Sequence, residues 1–275
     1  MIIIISVLTV IALALLMVII IASVSDGISE GLGDTALKEY NVTDKDLATG
    51  SLILADAAHP YTPNEEWLDL VKCSEYMADQ PDATGIDPKD YALMNYIPWT
   101  AMRLSKSAMA QTHKMLTAAK LAVNEKPITI DATYDTIHHS ENSPEYNTAM
   151  LIYLSDYEST GDVRAPLSAA YREWLDSNAA SYGFVESFED AYRFVDIPHA
   201  KYMTDKKLSL ADYIAYLKKN TNCDKSLKIT VSGTEYAVYY VSCANAGDPI
   251  KVPAKGDYTI SGTNEGGIIV TYTIK

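Results

Sequence analysis

The sequence has few basic residues and no long basic cluster. Its 275 residues include 22 Lys and Arg against 36 Asp and Glu, which gives a formal net charge of −14. The longest basic runs are the pairs Lys206-Lys207 and Lys218-Lys219. Such a surface repels a polyanion. We therefore expect no nucleic-acid partner.

Several common catalytic motifs are also missing. The chain contains no nucleophilic-serine motif, no phosphate-binding glycine loop and no Cys-x-x-Cys pair. Its bulk composition, with 48% hydrophobic and 21% charged residues, is nevertheless typical of a folded globular protein rather than a disordered one. The sequence therefore predicts a folded domain that uses none of these three chemistries.

Charge is absent from the beginning of the chain, where the first charged side chain is Asp26. Residues 2–24 read IIIISVLTVIALALLMVIIIASV and contain neither Pro nor Gly. A helix of this length spans roughly 35 Å, which exceeds the hydrocarbon core of about 30 Å. We predict a single-pass transmembrane anchor over residues 1–25 that holds the bulk of the chain on the extracytoplasmic side of the cell membrane. A cleaved signal peptide is the alternative, and the polar residues 26–50 predict a spacer.

Hydrophobic periodicity predicts helices and strands in the remainder of the chain. Apolar side chains recur at spacings of three and four residues in three segments, 105–124, 168–182 and 210–219. Alternating residues predict a strand over 127–134, and a short apolar run predicts a central strand over 149–154. These patterns indicate an α+β domain over residues 51–220, followed by a small all-β module over residues 221–275.

Two of the cysteines flank a predicted hairpin in the β module. Cys223 and Cys243 are equidistant from Gly233, which follows Ser232 in the expected turn. A hairpin of that register brings the two cysteines nearly opposite each other, and a disulfide would suit an oxidising exterior. Two unpaired core cysteines are the alternative, and both remain open. Cys73 has no evident partner.

Three motifs make the chain similar to a known family. They are LILADAAHPY at 52–61, MLTAAK at 115–120 and WLDSNAASYGF at 174–184. They resemble segments of the VanY-like D-alanyl-D-alanine carboxypeptidases, zinc peptidases that trim the peptide stems of the bacterial cell wall. The resemblance covers about residues 51–275. It implies an α+β fold in which helices pack on a small antiparallel sheet, and a zinc site that activates water.

The residues expected at that zinc site are largely replaced. The family's Ser-Glu-His-x-x-Gly-x-x-x-Asp element is matched by PEYNTAMLIY, which places Tyr146 and Tyr153 at two metal-ligand positions. The element Glu-x-Trp-His-x-Arg-Tyr is matched by DIPHAKY. This match retains His199 as a metal ligand and places Asp196 at the position of the catalytic general base. Since a catalytic zinc needs about three protein ligands, the resemblance predicts a degenerate site.

The substrate-binding positions differ as well. The family's Gly-Tyr-Arg-Ser element supplies a guanidinium for the substrate carboxylate, whereas this chain has TYDT, with Asp135 in place of the arginine. The resemblance also places Tyr134 and Tyr202 at the cleft. His138 and His139 lie in the same region and offer an alternative way to complete a zinc site with His199.

These observations lead to three hypotheses. The preferred one is a membrane-anchored pseudo-peptidase that binds peptidoglycan peptides or acts as a scaffold at the cell wall, with no cofactor expected. The second is an active zinc D,D-carboxypeptidase with non-standard ligands. The third is a structural partner of another membrane or wall protein.

Overall fold

A computed structural model of the protein describes residues 26–30, 36–78, 102–123, 128–135, 144–156 and 166–274. The predicted transmembrane segment, residues 2–24, lies outside the described residues. Within the described ranges, no helix is both long enough and apolar enough to cross a membrane.

The described residues form helices and antiparallel strands. The helices are α1 (Asp44–Ala48), α2 (Cys73–Ala78), α3 (Lys106–Val123), α4 (Ala169–Asn178), α5 (Ile197–Lys206) and α6 (Leu210–Asn220). The strands are β1 (Asp26–Glu30), β2 (Leu37–Asn41), β3 (Leu70–Lys72), β4 (Met102–Ser105), β5 (Ile128–Ala132), β6 (Tyr134–Asp135), β7 (Leu151–Asp156), β8 (Phe184–Phe188), β9 (Ala191–Phe194), β10 (Lys225–Val231), β11 (Thr234–Ser242), β12 (Pro249–Pro253), β13 (Tyr258–Gly262) and β14 (Gly267–Ile274). The predicted α+β class, with helices on small antiparallel sheets, is confirmed.

The first core lies between two helices and a four-stranded sheet of order β5-β7-β9-β8. Helices α3 and α4 bury their apolar stripes against this sheet, with Met109, Tyr171 and Phe184 among the fully buried side chains. Helix α4 begins after Ser168, whose hydroxyl accepts a hydrogen bond from a backbone amide of the first turn. The 3₁₀ turn that follows α4 ends at Gly183, which has a φ of 86°.

A five-stranded sheet of order β1-β10-β11-β14-β13 is covered on both faces. Helices α5 and α6 pack on one face and form a second core with strands β10, β11 and β14. The β2–β12 pair packs on the other face and forms a third core. Because both faces are buried, β14 is a nearly continuous apolar run, GIIVTYTI.

The prediction of a spacer over residues 26–50 is wrong for the part that the structure describes. Strand β1 pairs with β10, and β2 pairs with β12. Helix α1 begins with a capping box between Thr43 and Asp46. The helix packs closely on β13, where a Cβ added at Gly262 would lie 2.1 Å from the Leu47 carbonyl oxygen. The two strands of this segment are short, and both pair with strands from the C-terminal part of the chain.

The predicted hairpin is confirmed, but its disulfide is not formed in the structure. Strands β10 and β11 pair around Ser232-Gly233, as predicted. All three cysteines lie within the described residues, and all are unbonded thiols. The hydrogen bonds between β10 and β11 end before Cys223 is reached. Cys223 lies in a turn instead, which is closed by a hydrogen bond of 3.0 Å from the Asn222 amide to the Lys225 carbonyl oxygen. The Cys243 thiol instead lies 3.7 Å from the Asn245 carbonyl oxygen.

Candidate functional site

Two tyrosines at predicted metal positions come together in an apolar cluster. Tyr146 lies in the 3₁₀ turn before β7 and is 8% exposed, and Tyr153 lies on β7 and is half-buried. The pairing of β7 with β9 places Tyr153 opposite Ala191. These three residues and Leu151 pack against one another, and the Phe188 ring meets Tyr146 edge-on with centroids 6.5 Å apart. The resemblance implies a metal ion at this place. Aromatic rings and methyl groups occupy it instead.

The hydroxyls of this cluster stay protonated at neutral pH. Burial, the neighbouring Tyr153 phenol, and the carboxylates of Asp131 and Glu145 together raise the pKa of Tyr146 to about 12. Burial and the charge of Asp190 also raise the pKa of Tyr153. A neutral phenol is a poor ligand for zinc.

The described residues do not provide another ligand set. No three His, Cys, Asp or Glu side chains in the described ranges lie close enough together to hold a metal ion. Near the cluster, the Glu145 carboxylate accepts a hydrogen bond from the Ser187 hydroxyl at 2.5 Å and lies 3.8 Å from the buried Arg193 guanidinium. Arg193 also donates to the carbonyl oxygens of Ser51 and Ile53, which ties the start of the predicted domain to β9. The ligand atoms of the described residues therefore do not fit zinc. His138 and His139 lie outside the described residues.

The predicted ligand His199 lies elsewhere in the fold. It is 2% exposed, beneath the five-stranded sheet rather than in the tyrosine cluster. Its Nδ1 is 2.8 Å from the Tyr213 hydroxyl on α6, and its Nε2 is 3.0 Å from the Thr271 hydroxyl on β14. Both ring nitrogens are thus engaged inside a core. The prediction that His199 shares a metal site with Tyr146 and Tyr153 is corrected by this placement.

Asp196 and Tyr202 belong to the same region as His199. Asp196 precedes α5 with a φ of 74°, and its carboxylate accepts a hydrogen bond from the Ile197 amide, so it caps a helix. Tyr202 is 2% exposed and packs against the rings of Tyr213 and Tyr216 in the second core. Neither residue is part of the tyrosine cluster, so the structure does not bring the predicted base and substrate contact together with Tyr146 and Tyr153.

Tyr134 lies on β6, beside β4. Its hydroxyl donates a hydrogen bond to Glu65 at 2.7 Å, and burial together with this bond raises the pKa of Tyr134. Asp135 follows it on β6 and pairs through its backbone with Met102, but its side chain lies outside what the structure describes. The residue opposite Tyr134 on β4 is Arg103.

No family model matches the chain. A protein named D-alanyl-D-alanine carboxypeptidase from Enterococcus faecium is 26% identical over 257 residues, which cover 85% of this chain and 78% of that relative. The resemblance to VanY-like carboxypeptidases is confirmed.

The chain is also similar to solved structures. The vancomycin-resistance D,D-dipeptidase VanXYg, in complex with a D-Ala-D-Ala phosphinate analogue, has a TM-score of 0.64 and 18% identity, and the match covers 87% of this chain and all of that chain. The vancomycin-resistance D,D-pentapeptidase VanY from a VanB-type cassette, in complex with Zn(II), has a TM-score of 0.40 and 14% identity, and it covers 60% of this chain and 98% of that chain.

Ala191 is a neighbour of Tyr146 and Tyr153 that the sequence motifs did not reveal. A signal was nevertheless present in the element Glu-x-Trp-His-x-Arg-Tyr. The Arg-Tyr pair of this element can be aligned with Arg193-Phe194 instead of Lys201-Tyr202. In that alignment Ala191 takes the His position and Phe188 takes the Glu position. The tyrosine cluster contains Ala191, and Phe188 packs on its Tyr146 ring. The three-dimensional neighbours therefore favour this second alignment.

Proposed function

We propose that this chain is a catalytically inactive relative of the D,D-carboxypeptidases that serves as a binding or scaffolding module at the bacterial cell wall. The observation that carries the proposal is the apolar cluster of Tyr146, Tyr153 and Ala191. In the second alignment these residues occupy all three metal-ligand positions of the family.

The chemistry of the cluster supports loss of the metal. A catalytic zinc takes about three nitrogen or oxygen ligands from the protein and keeps one position for water. Ala191 offers no ligand atom, and the pKa of Tyr146, raised to about 12, keeps its phenol neutral. Without the metal, no group lowers the pKa of the attacking water.

The position of the general base supports the same conclusion. In the second alignment Phe188 replaces the glutamate, and a phenylalanine ring accepts no proton from water. Asp196, the base of the first alignment, directs its carboxylate to the Ile197 amide at the start of α5.

We further propose that residues 2–24 anchor the chain in the cell membrane and that the folded part lies outside the cell. The uncharged run of those residues and the acidic composition of the remainder support this arrangement. A ligand at that location is the peptide of the wall or another envelope protein.

The test is the zinc content and activity of the full-length chain purified in mild detergent. We expect less than about 0.1 zinc per chain by mass spectrometry after dialysis against micromolar zinc, and no D-alanine released from a stem-peptide mimic. A matched variant, Tyr146→His/Tyr153→Asp/Ala191→His, restores three zinc ligands, and we expect it to bind about one zinc per chain. Stoichiometric zinc in the unaltered protein, or D-alanine release that a chelator abolishes, would refute the proposal.

A further inference from the structure

Two adjoining cavities open beside helix α1. Their volumes are about 480 and about 540 Å³, and they share three lining residues, Ile53, Tyr61 and Trp67. No member of the tyrosine cluster lines either of them. We call the two cavities together the Trp67 groove. Each is large enough for a small molecule, and two cavities that meet along a shared wall can hold more than one unit of a chain molecule.

Trp67 is the aromatic residue of that shared wall. It ends the short 3₁₀ turn Glu65–Trp67 and is half-exposed. It belongs to none of the hydrophobic cores. Within the described ranges its indole has neither a ring partner nor a hydrogen-bond partner. A tryptophan normally buries a large apolar area, so an indole that packs in no core and lines two cavities is available to a ligand.

Tyr61 and Ile53 form a rigid wall beside Trp67. Tyr61 is 8% exposed and packs with Ile53 and Ala55 in a small core of their own. The Tyr61 hydroxyl donates a hydrogen bond of 2.7 Å to the Ala48 carbonyl oxygen, which fixes the ring against α1. A wall that is already ordered adds no ordering cost when a ligand binds.

The polar rim of the groove carries both charges in equal number. Asp44 and Asp69 stand against Lys45 and Lys106, and all four side chains are exposed. The charges of the rim therefore cancel, although the whole chain has a net charge of −14. The rim also has exposed hydroxyls, those of Thr62 and Ser107. Such a rim offers hydrogen-bond donors and acceptors together and does not favour an ion of either sign.

We propose that the Trp67 groove binds an uncharged saccharide chain, with the apolar face of one pyranose ring on the Trp67 indole and the sugar hydroxyls on the polar rim. A pyranose ring has a face of C–H groups surrounded by hydroxyls, which are both donors and acceptors. The groove has the complementary arrangement, an aromatic wall with a polar rim. The inference rests on the proposed location at the cell wall and adds a glycan to the proposed ligands.

The test measures affinities by calorimetry on the full-length chain in a detergent without a sugar headgroup. The probes are the tetramers of N-acetylglucosamine and of glucose, the two monomers, and a stem-peptide mimic. We expect at least one tetramer to bind, and its monomer to bind at least about tenfold more weakly, because two adjoining cavities contact more than one ring. The affinity should change less than about twofold between about 0.05 and 0.5 M salt, since the ligand is uncharged.

Substitution of Trp67 identifies the binding surface. Trp67→Ala should weaken the tetramer at least about tenfold, which is the loss expected when an apolar contact of about 60 Å² is removed. Trp67→Phe should fall between the two proteins. Leu121→Ala is the matched control, because Leu121 is an apolar side chain with 57% exposure that lines neither cavity. It should bind the tetramer as the unaltered protein does.

Four results would overturn the inference. They are no binding of either tetramer at about 10 mM, normal binding by Trp67→Ala, an affinity that falls steeply with salt, and a stem peptide that binds and displaces the tetramer. The last result would assign the groove to a peptide. If Trp67→Ala does not fold, Trp67→Phe and the comparison of tetramer with monomer still decide. Zinc content and D-alanine release are independent readouts, so failure of the proposed inactivity remains distinguishable from failure of this site.

Discussion

Replacing His199 should remove a specific part of the pH dependence of folding. This imidazole is fully buried, with the Tyr213 and Thr271 hydroxyls on its two nitrogens. Burial disfavours the imidazolium and lowers the pKa of His199 from 6.5 to about 4, although the nearby charge of Asp196 opposes the shift. The unfolded chain binds this proton much more readily than the folded chain does.

The direction and size of the effect follow from proton linkage. Above pH 6.5 the ring is neutral in both states, so it contributes no pH dependence. Between pH 6.5 and about 4 only the unfolded state takes up the proton, and the free energy of unfolding falls by about 1.4 kcal/mol per pH unit. Below about pH 4 both states are protonated and the dependence ends. The loss attributable to His199 is about 2 kcal/mol between pH 7 and pH 5, and about 3 kcal/mol in full.

The assay is urea unfolding of the full chain and of His199→Gln at pH 7, 6 and 5. Glutamine keeps polar atoms for the two hydroxyls but does not titrate. Carboxylates titrate in both proteins, so the difference between the two unfolding free energies isolates His199, and it should shrink by about 2 kcal/mol from pH 7 to pH 5. A difference that stays constant with pH would refute the reasoning, as would a zinc-dependent stabilisation present in the unaltered protein and absent from His199→Gln.

Three further changes test other parts of the fold. Asp196→Gly should raise the free energy of unfolding, measured by urea denaturation, by about 1 kcal/mol. Glycine relieves the cost of a φ of 74° and loses only about a few tenths of a kcal/mol as a helix cap, whereas Asp196→Ala should lower the free energy of unfolding. Gly262→Ala should lower the melting temperature through a loss of about 1–3 kcal/mol, since its Cβ would lie 2.1 Å from the Leu47 carbonyl oxygen, and an unchanged melting temperature would contradict the packing of α1 on β13. Thiol titration in denaturant should count three thiols without reductant, and a count of one would show that Cys223 and Cys243 are bonded after all.

The helices were predictable from the sequence because their signals are local. The apolar stripe over 105–124 predicts α3 almost to the residue, and Ser209 with the stripe after it predicts α6. The β10–β11 hairpin has its turn and its alternation within about twenty residues. The pairings of β1 and β2 were not predictable in this way, because their partner strands lie about 200 residues away and leave no mark on local composition.

The site was predictable only in part for a related reason. Tyr146 and Tyr153 lie in one short element, so a single motif located both. The third proposed metal-ligand position depends on which strand pairs with β7. The residues that follow His199 resemble the family's element, because they include a basic residue and then Tyr. Only the β7–β9 register shows that Ala191, not His199, faces Tyr153.

The five-stranded sheet also determines when the protein can finish folding. Its edge strand β1 precedes almost all of the described chain, yet it pairs with β10, which is synthesised about 200 residues later. Until β10, β11 and β14 have emerged, the apolar faces of α5 and α6 have no sheet to cover them. A nascent chain released before about residue 270 therefore exposes a hydrophobic surface.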